Sequence, residues 1–437
     1  MTGETRLRFW ALAGQPPAVV PTNRKQAVPR SRNRGTNYPR SAFSLVIAYF
    51  FMSLCGAMTS IAISLNFATR PNGEALVATV LVTGACAQVF VSPLLTPFFD
   101  RANPFTVAKL GTIFECLTLI FLCGFPSTLT LIAGNIVIAT LSGITIPAYY
   151  AIADSSLDAS DQARAFSYLD TARLCGSFVG PVLGGGFLDI ASLRTVFALE
   201  ALAVGSSIIV VQRLQRQDWP LVPSTSPHTL KAEAPSPLHS IVEAPKILLN
   251  NPRSRQALTS IWAAIIFTSI FNVALVFFAT QSLNTSGFLY AIVAQCFVVG
   301  RILGARFSAR LTKANALATL IKSGIGMGIC ISIPGFVPAL FLCIPLFALA
   351  GMFNGLQVSA LRIVVVSAVD PKIKPKALVT MGTINNSAML VGYIVGAPTV
   401  SAAGPNAALI IAGLGTALFT ALPSLWNKLT KPFLRSN

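Results

Sequence analysis

Charged side chains that could carry protons or pair with a substrate lie inside apolar stretches of this sequence. Glu115 has apolar neighbours on both sides, and Asp170 precedes Arg173 by three residues in another such stretch. Residues three apart share one face of a helix, so Asp170 and Arg173 can pair. Ionisable groups at membrane depth are costly to bury. These three residues are therefore our candidates for a site that couples the movement of a proton to another process. Further charges of this kind are Glu200, Lys322 and Arg362.

Other chemistries find little support in the sequence. The eight cysteines all lie in apolar stretches, and none has the spacing of a CxxC pair. His228 and His239 are the only histidines, and a zinc site would need more ligands at closer spacing. No nucleophile, base and acid cluster at a sensible spacing. The sequence therefore predicts no metal, no cofactor and no enzyme activity.

The elements that must position these charges are long and apolar. Of 437 residues, 54% are hydrophobic and 11% are charged, and the mean hydropathy is +0.69. Soluble domains carry about 25% charged residues, whereas a membrane-crossing helix needs about 20 apolar ones. The sequence predicts an all-α membrane protein with about twelve transmembrane helices in two six-helix bundles. The predicted spans are 42–66, 75–98, 105–124, 128–152, 165–188, 195–212, 257–281, 287–309, 315–334, 338–366, 377–400 and 405–426.

The distribution of basic residues predicts how these helices cross the bilayer. The net charge is +18, and 25 of the 32 lysines and arginines fall in segments that would share one side. The opposite loops hold Arg70 and Arg194, and the other five lie within spans. An excess of Lys and Arg marks cytoplasmic segments. We therefore expect a multi-pass protein of a bacterial inner membrane, with both termini cytoplasmic and with no nucleic-acid partner.

The same pattern divides the chain into five parts. The middle segment, 213–256, holds seven prolines and is typical of a flexible linker. The acid-poor arm that precedes the first span fits a cytoplasmic tail, and an organelle transit peptide is the alternative. The predicted parts are a basic tail (1–41), a six-helix bundle (42–212), a cytoplasmic linker (213–256), a second bundle (257–426) and a second tail (427–437).

The sharpest local pattern is a glycine-rich stretch of the fifth span. Glycines four residues apart form a stripe on which another backbone can pack closely, and an internal proline bends a helix. The stretch contains Gly176, Gly180, Pro181, Gly184 and Gly185. Gly300 and Gly304 in the eighth span offer a small surface that could match it.

A second pattern is Asp100-Arg101, in the short turn after the second span. An acid there can face a helix N-terminus, where the helix dipole favours negative charge. Across the two halves, this contact would close the cytoplasmic side. The alternative is a solvated turn that reverses the chain.

Together these stretches resemble the major facilitator superfamily over nearly all of residues 42–426. Gly176-x3-Gly180-Pro181-x2-Gly184-Gly185 is similar to its fifth-helix antiporter motif, and Asp100-Arg101 to its loop motif. Within the superfamily, the pattern is most similar to exporters of the macrolide-efflux type. The stretches that carry this likeness are 147–154, the glycine motif and 351–355.

The resemblance implies alternating access, often proton-coupled export, and a cavity lined by helices 1, 4, 7 and 10. Residues expected there, with one from helix 11, are Asn66, Asn135, Tyr149, Asn272, Asn354, Gln357 and Asn385. No acid lies in the middle of helices 1, 4, 7 or 10, which predicts a neutral or weakly polar, amphiphilic substrate. We expect a monomer that exports small amphiphilic compounds. The alternatives are an importer or uniporter of a metabolite on the same fold, and a membrane scaffold without transport.

Overall fold

The computed structural model describes residues 38–91, 94, 102–154, 159–216, 248–369 and 374–430. Within these ranges the chain is helical, with short turns between the helices. We number the helices in chain order. They are α1 (Tyr38–Ala68), α2 (Gly73–Cys86), α3 (Pro104–Gly124), α4 (Thr128–Asp154), α5 (Ala159–Ile190), α6 (Leu193–Arg216), α7 (Pro252–Phe277), α8 (Gly287–Phe307), α9 (Ala316–Phe336), α10 (Leu340–Ser367) and the segment Lys374–Thr430.

The last segment is two helices. Gly404 interrupts it with φ 80° and ψ 164°, a left-handed backbone that glycine adopts without steric cost. We call the parts α11 (374–403) and α12 (405–430). The twelve helices match the predicted spans closely, and the prediction of an all-α fold with about twelve helices is confirmed.

Local sequence signals explain where several helices begin. The Asn103 side chain accepts a hydrogen bond from the Phe105 amide at 2.9 Å, and Pro104 occupies the first turn of α3. Asn251 and Pro252 start α7 in the same way. Such caps satisfy amides that have no partner inside the helix, and proline is tolerated there because it has no amide hydrogen to lose.

Length and apolarity qualify most of these helices to cross a bilayer. Among the described residues, nine stretches are long and apolar enough, and one of them, Thr380–Ser424, covers parts of both α11 and α12. The helices not among them are α2, whose described part is short, and α5, which carries Asp170, Arg173 and Asp189. Those charges lie in the helix that holds the glycine motif.

The helices pack as two sets of six. In the first set, α3 packs on α4 and α6, and in the second set α8 and α9 both pack on α10. The α7 helix lies against the segment that forms α11 and α12. The two sets meet where α5 packs on α8 and where α2 packs on that last segment.

The turns that follow odd-numbered helices lie at one end of the molecule. At this end the Arg70 guanidinium, between α1 and α2, donates to the Thr128 hydroxyl at the start of α4 at 2.6 Å. The charge pattern predicts this end to be extracellular, and we call it the outer end and the opposite one the inner end. The predicted linker lies mostly outside the described residues, as do most of the first tail and of the second. The boundaries of the five parts stay a prediction.

Candidate functional site

At the outer end, the two sets of helices are joined through the last turn of α5. The Asp189 carboxylate accepts hydrogen bonds from the Gly287 amide at 2.8 Å and from the Phe288 amide at 2.9 Å. These amides begin α8, where the helix dipole favours a negative charge. Gly185 touches the same point, because a Cβ there would collide with the Gly287 backbone. Through this contact, the end of α5 packs directly on the start of α8.

The glycine stripe of α5 packs on α1. A Cβ on Gly176 would lie 2.7 Å from the Leu54 amide nitrogen, and one on Gly184 would lie 2.5 Å from the Met58 carbonyl oxygen. A Cβ on Gly180 would meet the Leu54 carbonyl oxygen. The two backbones therefore approach as closely as glycine allows. Pro181 lies inside the continuous helix, next to this contact.

The expectation that Gly300 and Gly304 match this stripe is wrong. Both glycines of α8 face α10, where added Cβ atoms would meet the backbones of Ala348 and Met352. Gly351 and Gly355 of α10 meet the α8 backbone in return. Small residues on both helices thus form a separate close contact within the second set. Sequence spacing identified the small faces but could not pair them.

A cavity of about 510 Å³ lies mainly among α1, α2, α4 and α5, and α11 of the second set completes its wall. Its lining mixes hydroxyl and amide groups with aliphatic side chains. Ser53, Ser60, Ser142 and Asn135 are among the polar ones, and Met52, Val80, Leu81 and Ile138 are among the apolar ones. Such a wall suits a small molecule that has both polar and apolar surface.

Of the seven predicted cavity residues, Asn135 lines this cavity. Its amide donates to the Val80 carbonyl oxygen at 2.9 Å, which ties α4 to α2. Asn272 lies on α7 beside Tyr393, which lines the cavity from α11. Asn66 and Asn385 are not in the described wall, and each has a buried carbonyl oxygen without a described hydrogen-bond partner.

The other three predicted cavity residues point elsewhere. Tyr149 is fully buried and packs on Tyr49 with ring centroids 5.5 Å apart. Asn354 donates to the Met327 sulfur at 3.6 Å, and Gln357 is 2% exposed and lies against Gly324. Met327 and Gly324 both belong to α9. Polar residues on a helix can serve packing between helices as well as a cavity, and sequence alone does not separate the two uses.

The pair Asp170 and Arg173 lies at the edge of this cavity. The Arg173 Nε is 3.9 Å from the Asp170 Oδ1, and the two side chains are 48% and 58% exposed. The same carboxylate oxygen accepts a hydrogen bond from the Tyr150 hydroxyl at 2.6 Å. Arg173 itself lines the cavity. The two charges are therefore separated by a long distance for an ion pair, both side chains are about half exposed, and Tyr150 also donates to the carboxylate.

Two buried carboxyl groups lie behind the cavity, between α3 and α6. Glu115 is 2% exposed and reaches the cavity wall, and Glu200 is fully buried. The Cys116 thiol donates to the Ala201 carbonyl oxygen at 3.4 Å, so the two helices touch at this level. Glu115 Oε2 and both oxygens of Glu200 lack a hydrogen-bond partner among the described residues. The two carboxyl groups are near enough to interact electrostatically.

Asp100 and Arg101 lie outside the described residues. Asp189 makes a contact of the kind that we expected for Asp100, an acid at the N-terminus of a helix in the other half, but at the outer end. The closing role of Asp100 at the cytoplasmic side stays a prediction. The sequence analysis missed Asp189 and Gly287. Two features of the sequence could have indicated them. One is the acid in the last turn of the glycine-rich fifth span, and the other is the Ser-Gly pair at the start of the eighth span.

Solved structures of membrane transporters share this fold. A POT family transporter in complex with a thioalcohol-conjugated peptide is 13% identical, with a TM-score of 0.66 over 90% of this chain and 96% of that one. The nucleoside transporter NupG is 15% identical, with a TM-score of 0.66 over 88% and 99%. The human organic anion transporter MFSD10 (TETRAN) is 14% identical, with a TM-score of 0.56 over 87% and 99%. No curated protein sequence matches the chain.

Twelve helices in two sets, with a cavity that both sets line, fit a multi-pass membrane transporter rather than an enzyme. The sequence profile of the Major Facilitator Superfamily matches residues 45–337. The chain belongs to the Major Facilitator Superfamily.

Proposed function

We propose that this transporter exports small amphiphilic compounds across the cell membrane by alternating access, coupled to protons. The observation that carries the proposal is the cavity of about 510 Å³, which α11 completes from the second set of helices. Its wall of hydroxyl, amide and aliphatic groups fits a compound that is neither fully polar nor fully apolar. The likeness of the glycine motif to those of macrolide-efflux-type exporters supports the direction of transport.

The closed contact at the outer end supports alternating access. Asp189 holds the start of α8 at the outer end, while the cavity lies further along α5, around Arg173 and Ser177. Breaking two charge-assisted hydrogen bonds would let α5 and α8 separate and open the cavity to the outside. Hydrogen bonds to charged groups contribute about 1.5–3 kcal/mol each, which is a range that a conformational cycle can overcome.

Glu115 and Glu200 support proton coupling. Two ionised carboxylates buried without a described cation would cost far more than two carboxylic acids. Glu115 reaches the cavity wall, so a proton can pass between the cavity and the pair. Asp170 and Arg173 remain the second candidate for coupling, because they lie on α5 at the edge of the cavity.

Accumulation in cells tests the direction of transport. Bacterial cells expressing the chain should hold less of a fluorescent amphiphile, either pyrenebutyrate or its methyl ester, than cells with an empty vector. An importer or uniporter would raise the intracellular level or leave its steady state unchanged, and either result would overturn the proposed export.

A further inference from the structure

An arginine in the cavity wall lies within electrostatic reach of an arginine from the other set of helices. Arg173 on α5 lines the cavity wall. Arg301 on α8 is exposed, and its guanidinium lies within electrostatic reach of Arg173 and of Arg362 on α10. Arg362 is exposed as well. Because α8 packs on α5 and Arg301 interacts with Arg173 of α5, Arg301 lies where the two sets of helices meet.

The close contact between α8 and α10 fixes the backbone from which Arg301 projects. A Cβ on Gly351 would lie 3.0 Å from the Arg301 amide nitrogen, and one on Gly355 would meet the Arg301 carbonyl oxygen. Larger residues at either position would push α8 away from α10. The contact therefore fixes the position of the backbone from which Arg301 projects.

The depth of Arg301 makes its charge expensive. It lies fourteen residues beyond the start of α8, or about 21 Å along the helix axis, inside a hydrocarbon layer about 30 Å thick. Charges at this depth face water or a binding partner and mark the path of a substrate or ion. Among the described residues, the one ion pair is that of Arg173 with Asp170. Arg301 and Arg362 have no described carboxylate partner.

The acids nearby leave positive charge in excess. Asp170 is shared between Arg173 and Tyr150. Glu115 reaches the wall but is buried and interacts with Glu200. The guanidinium groups of Arg301 and Arg362 therefore remain available, and each presents up to five donors in a planar fork that matches a carboxylate or a related oxyanion.

We propose that Arg301, with Arg173 and Arg362, forms a binding site for the anionic group of the substrate, so that the exported amphiphiles are organic acids. The inference rests on the proposed function and replaces the sequence-based expectation of a neutral substrate. An anion held by α5 of one set and by α8 and α10 of the other would bridge the two sets. Binding would then be coupled to the motion that opens and closes the cavity.

Matched probes test this site in the purified full-length protein. The probes are pyrenebutyrate, its methyl ester and pyrenebutyltrimethylammonium, which share one apolar body. The experiment measures binding by pyrene fluorescence and transport in proteoliposomes. Arg301→Gln is the test variant, Arg301→Lys keeps the charge, and Arg306→Gln in the last turn of α8 is the matched control. Elution as a single species in size-exclusion chromatography checks the fold of each variant.

The site predicts that pyrenebutyrate binds about tenfold or more tightly than its ester, as expected for charge-assisted hydrogen bonds. Arg301→Gln should abolish this preference, Arg301→Lys should restore part of it, and Arg306→Gln should leave it unchanged. Equal binding of acid and ester, tighter binding of the ammonium compound, or an unchanged preference in Arg301→Gln would overturn the anion site. Transport of acid and ester at equal rates would overturn the site and leave amphiphile transport standing. If the protein binds the acid preferentially but transports none of the probes, the anion site stands and the proposed transport of amphiphiles is overturned.

Discussion

Asp189 of α5 accepts a hydrogen bond from the Gly287 amide, the first of α8, at 2.8 Å. The Phe288 amide donates to the second carboxylate oxygen at 2.9 Å. One side chain thus satisfies two amides that α8 itself cannot satisfy. A Cβ on Gly287 would lie 3.0 Å from the Asp189 oxygen, so the contact leaves little room for a side chain at this position. This contact joins the two sets of helices at the outer end.

Removing this carboxylate should loosen the start of α8. In Asp189→Ala the Gly287 and Phe288 amides lose their acceptor, and charge-assisted bonds contribute about 1.5–3 kcal/mol. Hydrogen–deuterium exchange of the peptide that covers the first turn of α8 should accelerate roughly ten- to hundredfold. Glu74→Ala is the control, because Glu74 lies in the first turn of α2 at the same end. Equal exchange rates in wild type and Asp189→Ala would contradict the closing role of Asp189.

The α5–α1 contact should be needed for transport but not for insertion. A Cβ on Gly180 would meet the Leu54 carbonyl oxygen, a backbone atom that cannot move aside alone. We expect Gly180→Ala to slow transport and Gly180→Leu to abolish it, with normal amounts of protein in the membrane. Gly382→Ala should retain activity, since a Cβ there meets nothing within 4 Å. Full transport by Gly180→Leu would mean that the close packing of α5 on α1 has no part in the cycle.

The α8–α10 contact should contribute to stability. In Gly304→Ala the new Cβ would meet the Met352 carbonyl oxygen, and overpacking of this kind costs about 1–3 kcal/mol. The melting temperature of the detergent-solubilised protein should fall by several degrees. Gly205→Ala is the matched control, because its Cβ would lie at an ordinary 3.7 Å from the Cys116 sulfur. A drop of the same size in both variants would exclude the specific contact as its cause.

The buried carboxyl pair should determine whether protons drive transport. Glu115→Gln and Glu200→Gln keep the size of the side chains and remove the group that binds the proton. Uphill transport driven by a proton gradient should be lost, while exchange of substrate across the membrane at equal concentrations should persist. Glu74→Gln, in the first turn of α2, should change neither activity. If proton-driven transport persists in both Glu115→Gln and Glu200→Gln, the buried carboxyl pair is not the coupling site. Asp170 and Arg173 are then the pair to test.

The sequence predicted the helices much better than the partners of their side chains. Hydropathy located all twelve helices, because lipid demands long apolar stretches with internally satisfied backbones. The glycine stripe of α5 identified a close contact, but only three-dimensional packing assigns it to α1. Likewise, Tyr149 and Gln357 looked like cavity residues because polar side chains inside helices have several uses. Asp189 escaped notice because its partners are backbone amides, which every residue except proline possesses.

The anion site that we propose also depends on contacts that the sequence does not show. Counting acids on helices 1, 4, 7 and 10 predicted a neutral substrate, whereas Arg301 was treated as one of five basic residues inside spans. Its importance depends on Arg173 and Arg362, which come from other helices and approach it only in the folded chain. The spacing of residues in a single sequence does not show which distant segments lie close together in the folded chain.

Proton-driven accumulation in vesicles tests the central claim most directly. Purified protein is reconstituted into liposomes with an acidic interior, and the uptake of pyrenebutyrate and of its methyl ester is followed against protein-free liposomes. An acid distributes passively away from an acidic compartment, so its accumulation inside requires exchange for protons. We expect protein-dependent accumulation of at least one probe that collapses when an ionophore dissipates the gradient. Uptake equal to that of protein-free liposomes, or accumulation that survives the ionophore, would contradict a proton-coupled exporter.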